Sequence, residues 1–250
     1  MLKVTGAAKT FHNHTIFKGF DIEIPTGGFT VLVGPSGCGK STLFDGLTGI
    51  TALDQGQLSW QGHPVKDLRQ NAAYMQQKDL LLPWFTLLEN SLLPARTGGR
   101  RRGLREAEEQ ARGFFLRLGL SGFEDHYPSQ VSGGMRQRCA LVRTLMFNRD
   151  LILLDEPLSA LDAITRQGLR ELLGRLQSEF GKTILMITHD IEEALVLGDE
   201  ICLLTGGPMM IAERFIPKIP KPRAFDHPEL TAIRGHVLKR LAGEVPDGTA

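Results

Sequence analysis

Along this chain, short and nearly unbroken apolar runs alternate with longer stretches in which apolar residues return every three to four positions. Residues 29–33, 151–154, 183–188 and 201–205 are runs of the first kind, the pattern of strands covered on both faces. Their alternation with helical stretches predicts strand–helix–strand units and a largely parallel sheet, the α/β class. The opening 33 residues and the stretch 55–75 read differently, with short alternating segments broken by Gly27-Gly28, Gly62 and Pro64. They predict a small antiparallel sheet. From Trp84 to Asn148 the period becomes helical, with Leu104, Ala107, Ala111, Phe115 and Leu118 on one face. An inserted helical subdomain is therefore expected at about 84–148. Beyond Arg223 a short helix is expected, so that residues 1–225 form the main domain and 226–250 a tail.

Composition narrows the function classes. At 42% hydrophobic and 23% charged residues the chain is globular, not disordered or fibrous. Lys and Arg total 29 against 28 Asp and Glu, a balance that gives no sign of a nucleic-acid partner. The three cysteines, Cys38, Cys139 and Cys202, are too few and too far apart for a disulfide framework or a zinc site. A reducing compartment fits them, with Cys139 and Cys202 as core residues. No stretch reaches the ~18 apolar residues of a membrane-spanning helix, so any membrane role is expected to pass through a partner. The loop 96–105, with five arginines and Gly98, Gly99 and Gly103, reads as solvated. His12 and His14 read as part of a polar turn ahead of the first strand, and Trp60 as half-buried packing.

The chemistry begins at Gly34-Pro35-Ser36-Gly37-Cys38-Gly39-Lys40-Ser41, which fits G-x-x-x-x-G-K-[ST] and lies between an expected strand and an expected helix. Glycines let successive backbone N–H groups turn inward on phosphate oxygens, and the helix start adds positive potential. Lys40 would reach the β- and γ-phosphates, Ser41 would ligate Mg²⁺, and Thr42 beside it is grouped with the phosphate binders. The run 151–156 ends in Asp155-Glu156, carboxylates at a strand terminus where α/β sheets hold their ligands. Asp155 would hold the metal shell, and Glu156 would polarise water for attack on the γ-phosphate. Ser132-Gly133-Gly134 opens a further helix with Ser132 as its N-cap, a second anion site that a single nucleotide seldom needs from one face.

Taken together, these motifs make the chain resemble the nucleotide-binding subunit of an ATP-binding cassette (ABC) transporter, over nearly its whole length. The resemblance implies a RecA-like core with the antiparallel and helical subdomains added. It also identifies Gln77 as the Q-loop glutamine, Ser132-Gly133-Gly134 with Gln137 as the signature, Ser159-Ala160-Leu161-Asp162 as the D-loop, His189 as the switch histidine and Phe11 as the aromatic that stacks on adenine. Val131 stands where the family usually has Leu. Two protomers would sandwich two ATP molecules with Mg²⁺, the signature of one completing the phosphate site of the other. His189 would contact the γ-phosphate, and Gln77 would sense metal or water there. The apolar turn 80–84, which precedes Leu87, Leu88 and Asn90, would form a groove that accepts a permease subunit served by a solute-binding protein, at the cytoplasmic face of the inner membrane. Leu81-Leu82-Pro83-Trp84 together with residues 161–166 resembles importers of the nitrate, sulfonate, taurine and thiamine-pyrimidine-precursor group. Two other functions fit parts of the pattern, a cassette ATPase working on nucleic acid or ribosomes and a small-molecule kinase. The first lacks a second cassette, and the second has no use for Ser132-Gly133-Gly134 or Gln77.

Overall fold

A computed structural model describes residues 1–97, 103–159 and 161–243, with Ala163 and Ile164 described by backbone alone. Its central sheet takes six strands: β3 (Phe29–Val33), β6 (Ala72–Met75), β7 (Leu151–Asp155), β8 (Thr183–Thr188), β9 (Glu200–Leu204) and β10 (Ile211–Phe215), in the order β10-β9-β3-β8-β7-β6. All neighbours are parallel except β9 and β10. Every residue of β3, β7 and β8 is buried, which is why these strands carry no polar alternation. A second sheet, in the order β2-β1-β4-β5, is antiparallel and built from β1 (Leu2–Phe11), β2 (His14–Ile24), β4 (Gln55–Trp60) and β5 (His63–Val65).

Three sequence expectations change here. Ala72–Met75 belongs to the parallel sheet and not to the antiparallel one, because Ala72 to Met75 pair residue for residue with Leu151 to Leu154. Within four residues, alternation cannot separate the two environments. His12 lies in the turn between β1 and β2, at φ 54°, and His14 is the first residue of β2, so neither precedes the first strand. Trp60 is fully buried, not half-buried.

Helices α1 (Lys40–Thr48), α6 (Ala163–Ser178) and α7 (Ile191–Leu197) accompany the parallel strands. Between β6 and β7 come the inserted helices α2 (Leu87–Ser91), α3 (Leu93–Thr97), α4 (Leu104–Arg117) and α5 (Gly133–Leu145). Ala111, Phe115 and Leu118 are buried as their spacing required, and Ala107 packs at the edge of that core, but Leu104 is exposed at the first residue of α4. Of the arginine-rich loop, residues 98–102 lie outside the described residues, as does Ala160 of the 159–162 motif. The last helix, α8 (Pro228–Leu241), buries Leu230 and Val237 in the same core as β3 and α7.

Candidate active site

The phosphate loop owes its shape to two glycines. A Cβ at Gly34 would stand 2.8 Å from Leu204 Cβ, and one at Gly39 would stand 2.3 Å from Ile16 Cγ2. Gly39 also has φ +116°, so both space and backbone demand glycine there. The contact with Ile16 sets the β1–β2 hairpin against the loop, and that hairpin carries Phe11, half-exposed at the end of β1. Lys40 opens α1 and is buried, and its ammonium donates to the carbonyls of Gly34 and Pro35 at 2.8 Å each. The loop is thus closed by its own lysine. Pro35, Ser36 and Gly37 form the exposed lip, Cys38 is buried beneath it, and Thr42 sits half-buried beside Ser41.

Under the loop lies Asp155, 1% exposed, at the end of β7. Burial raises its carboxyl pKa above the usual range, with a hydrogen bond from Ser41 opposing and the neighbouring charge of Glu156 adding to the rise. Its Oδ2 is shielded from solvent and has no hydrogen-bond partner. An acceptor in that state, next to a serine hydroxyl and a phosphate loop, suits a hard cation that takes oxygen ligands.

Glu156, one residue on, departs from the strand: its φ is +50°, a backbone state costing on the order of 1–3 kcal/mol for a residue other than glycine. Its backbone hydrogen bonds, including one from Ser159 N–H to its carbonyl at 3.4 Å, hold it there. Its N–H donates to Ile187 O at 2.9 Å, and its carbonyl accepts from Gln137 Nε2 at 2.8 Å and Ser159 Oγ at 3.0 Å. The turn brings Glu156 Oε2 to 3.2 Å from Gln77 Nε2 and 3.4 Å from His189 Nδ1. Gln77 follows β6 and His189 follows β8, on either side of β7. Parallel pairing of Met75 with Leu154 and of Asp155 with Ile187 sets the ends of these three strands level.

The structure brings Lys40, Ser41, Asp155, Glu156, Gln77 and His189 to one sheet edge, yet it leaves the second anion site apart. Ser132 caps α5 through its Oγ, which accepts from Met135 N–H at 3.3 Å, and Ser132 and Gly133 are exposed. Among the described residues, no hydrogen bond or ion pair joins residues 132–134 to the phosphate loop. Gln137 departs from its expected place on the nucleotide-facing signature, since it is buried and braces the Glu156 carbonyl from inside. Asp162 is exposed and caps α6, accepting from Thr165.

Several positioning residues were not foreseen. Thr188 Oγ donates to Glu193 at 2.7 Å and accepts from Asp190 N–H, while Asp190 caps α7, which together fix the chain on both sides of His189. Burial raises the Glu193 carboxyl pKa above its ordinary value. Two residues past Gln77, the Asp79 carboxylate accepts from Arg136 at 3.0 Å, and Arg143 donates to the carbonyls of Asp79 and Leu80. Both arginines lie on α5. Their partners sit about sixty residues away in sequence, and no local pattern shows such pairing. Asn90, fully buried, ties down the following turn through the carbonyls of Leu82, Phe85 and Thr86 and the Leu82 N–H. This leaves Leu80 at 50% and Trp84 at 66% exposure.

Comparison with known proteins agrees with this geometry. The family model described as ABC transporter matches residues 17–159. An aliphatic sulfonates import ATP-binding protein, SsuB 3 of Pseudomonas syringae pv. tomato, is 36% identical over 249 residues, covering 98% of this chain and 88% of its own. SsuB 2 of Agrobacterium fabrum is 36% identical over 241 residues, 96% of this chain and 89% of its own. Among solved structures, a dimeric ATP-binding cassette in a post-hydrolysis state with ADP and Pi superposes with TM-score 0.79 and 30% identity, covering 86% of this chain and 98% of that one. Among the described residues no helix is long and apolar enough to cross a membrane. A closed phosphate loop after β3, a carboxylate pair at the end of β7 and these similarities make the chain a member of the ABC transporter family, as its ATP-binding and ATP-hydrolysing subunit.

Proposed function

We propose that this subunit energises import of a small solute by hydrolysing Mg-ATP between two copies of itself. The carrying observation is the convergence of Gln77 and His189 on one oxygen of Glu156 beside the phosphate loop. In this reading Glu156 takes the proton of the attacking water, and His189 and Gln77 hold the γ-phosphate side of the site. Lys40 binds the β- and γ-phosphates and Phe11 stacks on adenine. Ser41 and Asp155, with Gln77 nearby, hold Mg²⁺, which would neutralise phosphate charge; the unpartnered Asp155 Oδ2 supports that role.

Ser132, Gly133 and Gly134 complete the site of the second protomer, with Asp162 at the same interface. The exposed start of α5 supports this, as does the dimeric cassette that the chain resembles. Leu80 and Trp84, held outward by Asn90 and Arg143, form the contact for a permease at the cytoplasmic face of the membrane, and a solute-binding protein acts indirectly. The relatives named for aliphatic sulfonates favour a small organic anion as cargo.

The test uses Glu156→Gln, which keeps shape but loses the charge. Hydrolysis should fall by the ~10²- to 10⁴-fold that a positioned general base supplies, while ATP still binds and sedimentation shows an ATP-dependent dimer. Near-normal turnover would remove Glu156 as the base. Trp84→Ala should lose permease co-purification yet keep ATP affinity, and intact association would overturn the docking assignment.

A further inference from the structure

Away from the nucleotide site, a cavity of about 290 Å³ opens between the inserted helices and the sheet. Its floor is apolar: Phe114 of α4, Leu145 of α5, and Leu172 and Leu176 of α6. The three leucines are otherwise buried. Its rim is cationic, carrying Arg117, Arg149 and Lys182. Lys182 is matched, its ammonium 3.2 Å from Asp150. Arg149 is not. It makes no ion pair among the described residues, and its Nε is shielded from solvent without a hydrogen-bond partner. Arg117 likewise forms no ion pair among the described residues, although it senses Glu179 through space.

The Arg149 and Arg117 side chains that line the cavity can take a carboxylate or sulfonate on their outer guanidinium nitrogens, because its oxygens match the guanidinium fork. The leucine floor asks for something else, an apolar body that removes it from water. Size sets the third condition. Ligand sites run from roughly 300 to 1,000 Å³, so this one takes a short molecule.

We propose that this cavity binds a small amphiphilic anion, its acidic head on Arg149 and Arg117 and its short hydrocarbon chain on the leucines. Nothing in this assignment depends on the roles given to the nucleotide-site residues. A ligand seated there touches α4, α5 and α6 together, and so ties the inserted helices to the core.

The experiment is calorimetric titration of the full chain with hexanesulfonate, with 1-hexanol and hexylammonium as neutral and cationic counterparts. Hexanesulfonate should bind saturably at one per chain, at least ~10-fold tighter than 1-hexanol, and unaffected by Mg-ATP. Arg149→Gln should weaken it by ~10-fold or more. Gly113→Leu should abolish it by filling the cavity from α4, and it should leave ATP hydrolysis unchanged and melting no lower, since a Cβ at Gly113 meets no atom within 4 Å and leucine is the better helix former. Absence of saturable binding overturns the proposal, as does equal affinity for 1-hexanol or unchanged affinity in Arg149→Gln. Binding that survives Gly113→Leu and is displaced by Mg-ATP places the anion in the phosphate loop and also overturns it.

Discussion

The two helix starts offered to anions in this molecule, α1 and α5, are finished in opposite ways. At α1 the chain wraps its own loop over the helix end, buries Lys40 and Cys38, and fills the space around Gly34 and Gly39 so tightly that a methyl group would collide. At α5 the helix end stands open. Ser132 supplies one cap, Gly133 is exposed, and a Cβ there would approach nothing nearer than Arg136 Nη2 at 3.7 Å. The difference teaches how differently the two glycine sets are constrained. The phosphate loop's glycines are held by contacts within the chain, whereas the chain itself places almost nothing against Gly133, as the proposed sandwich requires.

The sharpest way to break this comparison is to place the same methyl on both sides. Gly39→Ala should abolish measurable ATP binding and destabilise the fold by about 1–3 kcal/mol, because strain and overlap act together. Gly133→Ala should leave ATP affinity of the isolated subunit unchanged. Fluorescent-nucleotide titration and urea unfolding of both variants check it, and equal losses would erase the distinction. Next in size is Ser132→Arg in the Glu156→Gln background. Sedimentation should show loss of the ATP-dependent dimer while each monomer still binds nucleotide; a surviving dimer would mean that the open helix end has another occupant.

Ser132→Ala tests the cap itself and should cost ~1 kcal/mol of stability, since the Met135 N–H loses its acceptor. The smallest effect concerns Asp155. Its folded carboxyl holds a proton more tightly than the unfolded one, so this group's contribution to stability is greatest at low pH. That contribution declines as pH rises from the unfolded value of about 3.9 through the raised folded value. Asp155→Asn should remove this segment of the pH–stability profile, and urea midpoints between pH 3 and 7 would show it. An identical profile in the variant would assign the slope to other groups.

Much of this contrast is legible in the sequence because it rests on short-range spacing. The phosphate loop, its flanking strand and helix, and Asp155-Glu156 all declare themselves within eight residues. The run of β8 is apolar from Ile184 to Ile187 and carries polar residues only at its two threonine ends. Where spacing gives no purchase, the reading fails. Ala72–Met75 is as compatible with one sheet as the other until Leu151–Leu154 is laid beside it. The inward turn of Gln137 depends on a carbonyl 19 residues away, freed by the unusual backbone of Glu156. The bonds from Arg136 and Arg143 to residues 79 and 80 cross between separate elements, and only the assembled fold brings them together.

The backbone of Glu156 has a consequence for how this chain can change over generations. At φ +50° a glycine would sit with less strain than any residue bearing a Cβ. Mutation toward glycine at this codon therefore relaxes the fold while removing the carboxylate beside His189 and Gln77. Drift without selection on this side chain would run toward the easier glycine. A lineage that keeps glutamate here, in a backbone that prefers glycine, keeps the carboxylate against that pull, as the proposed role of Glu156 requires.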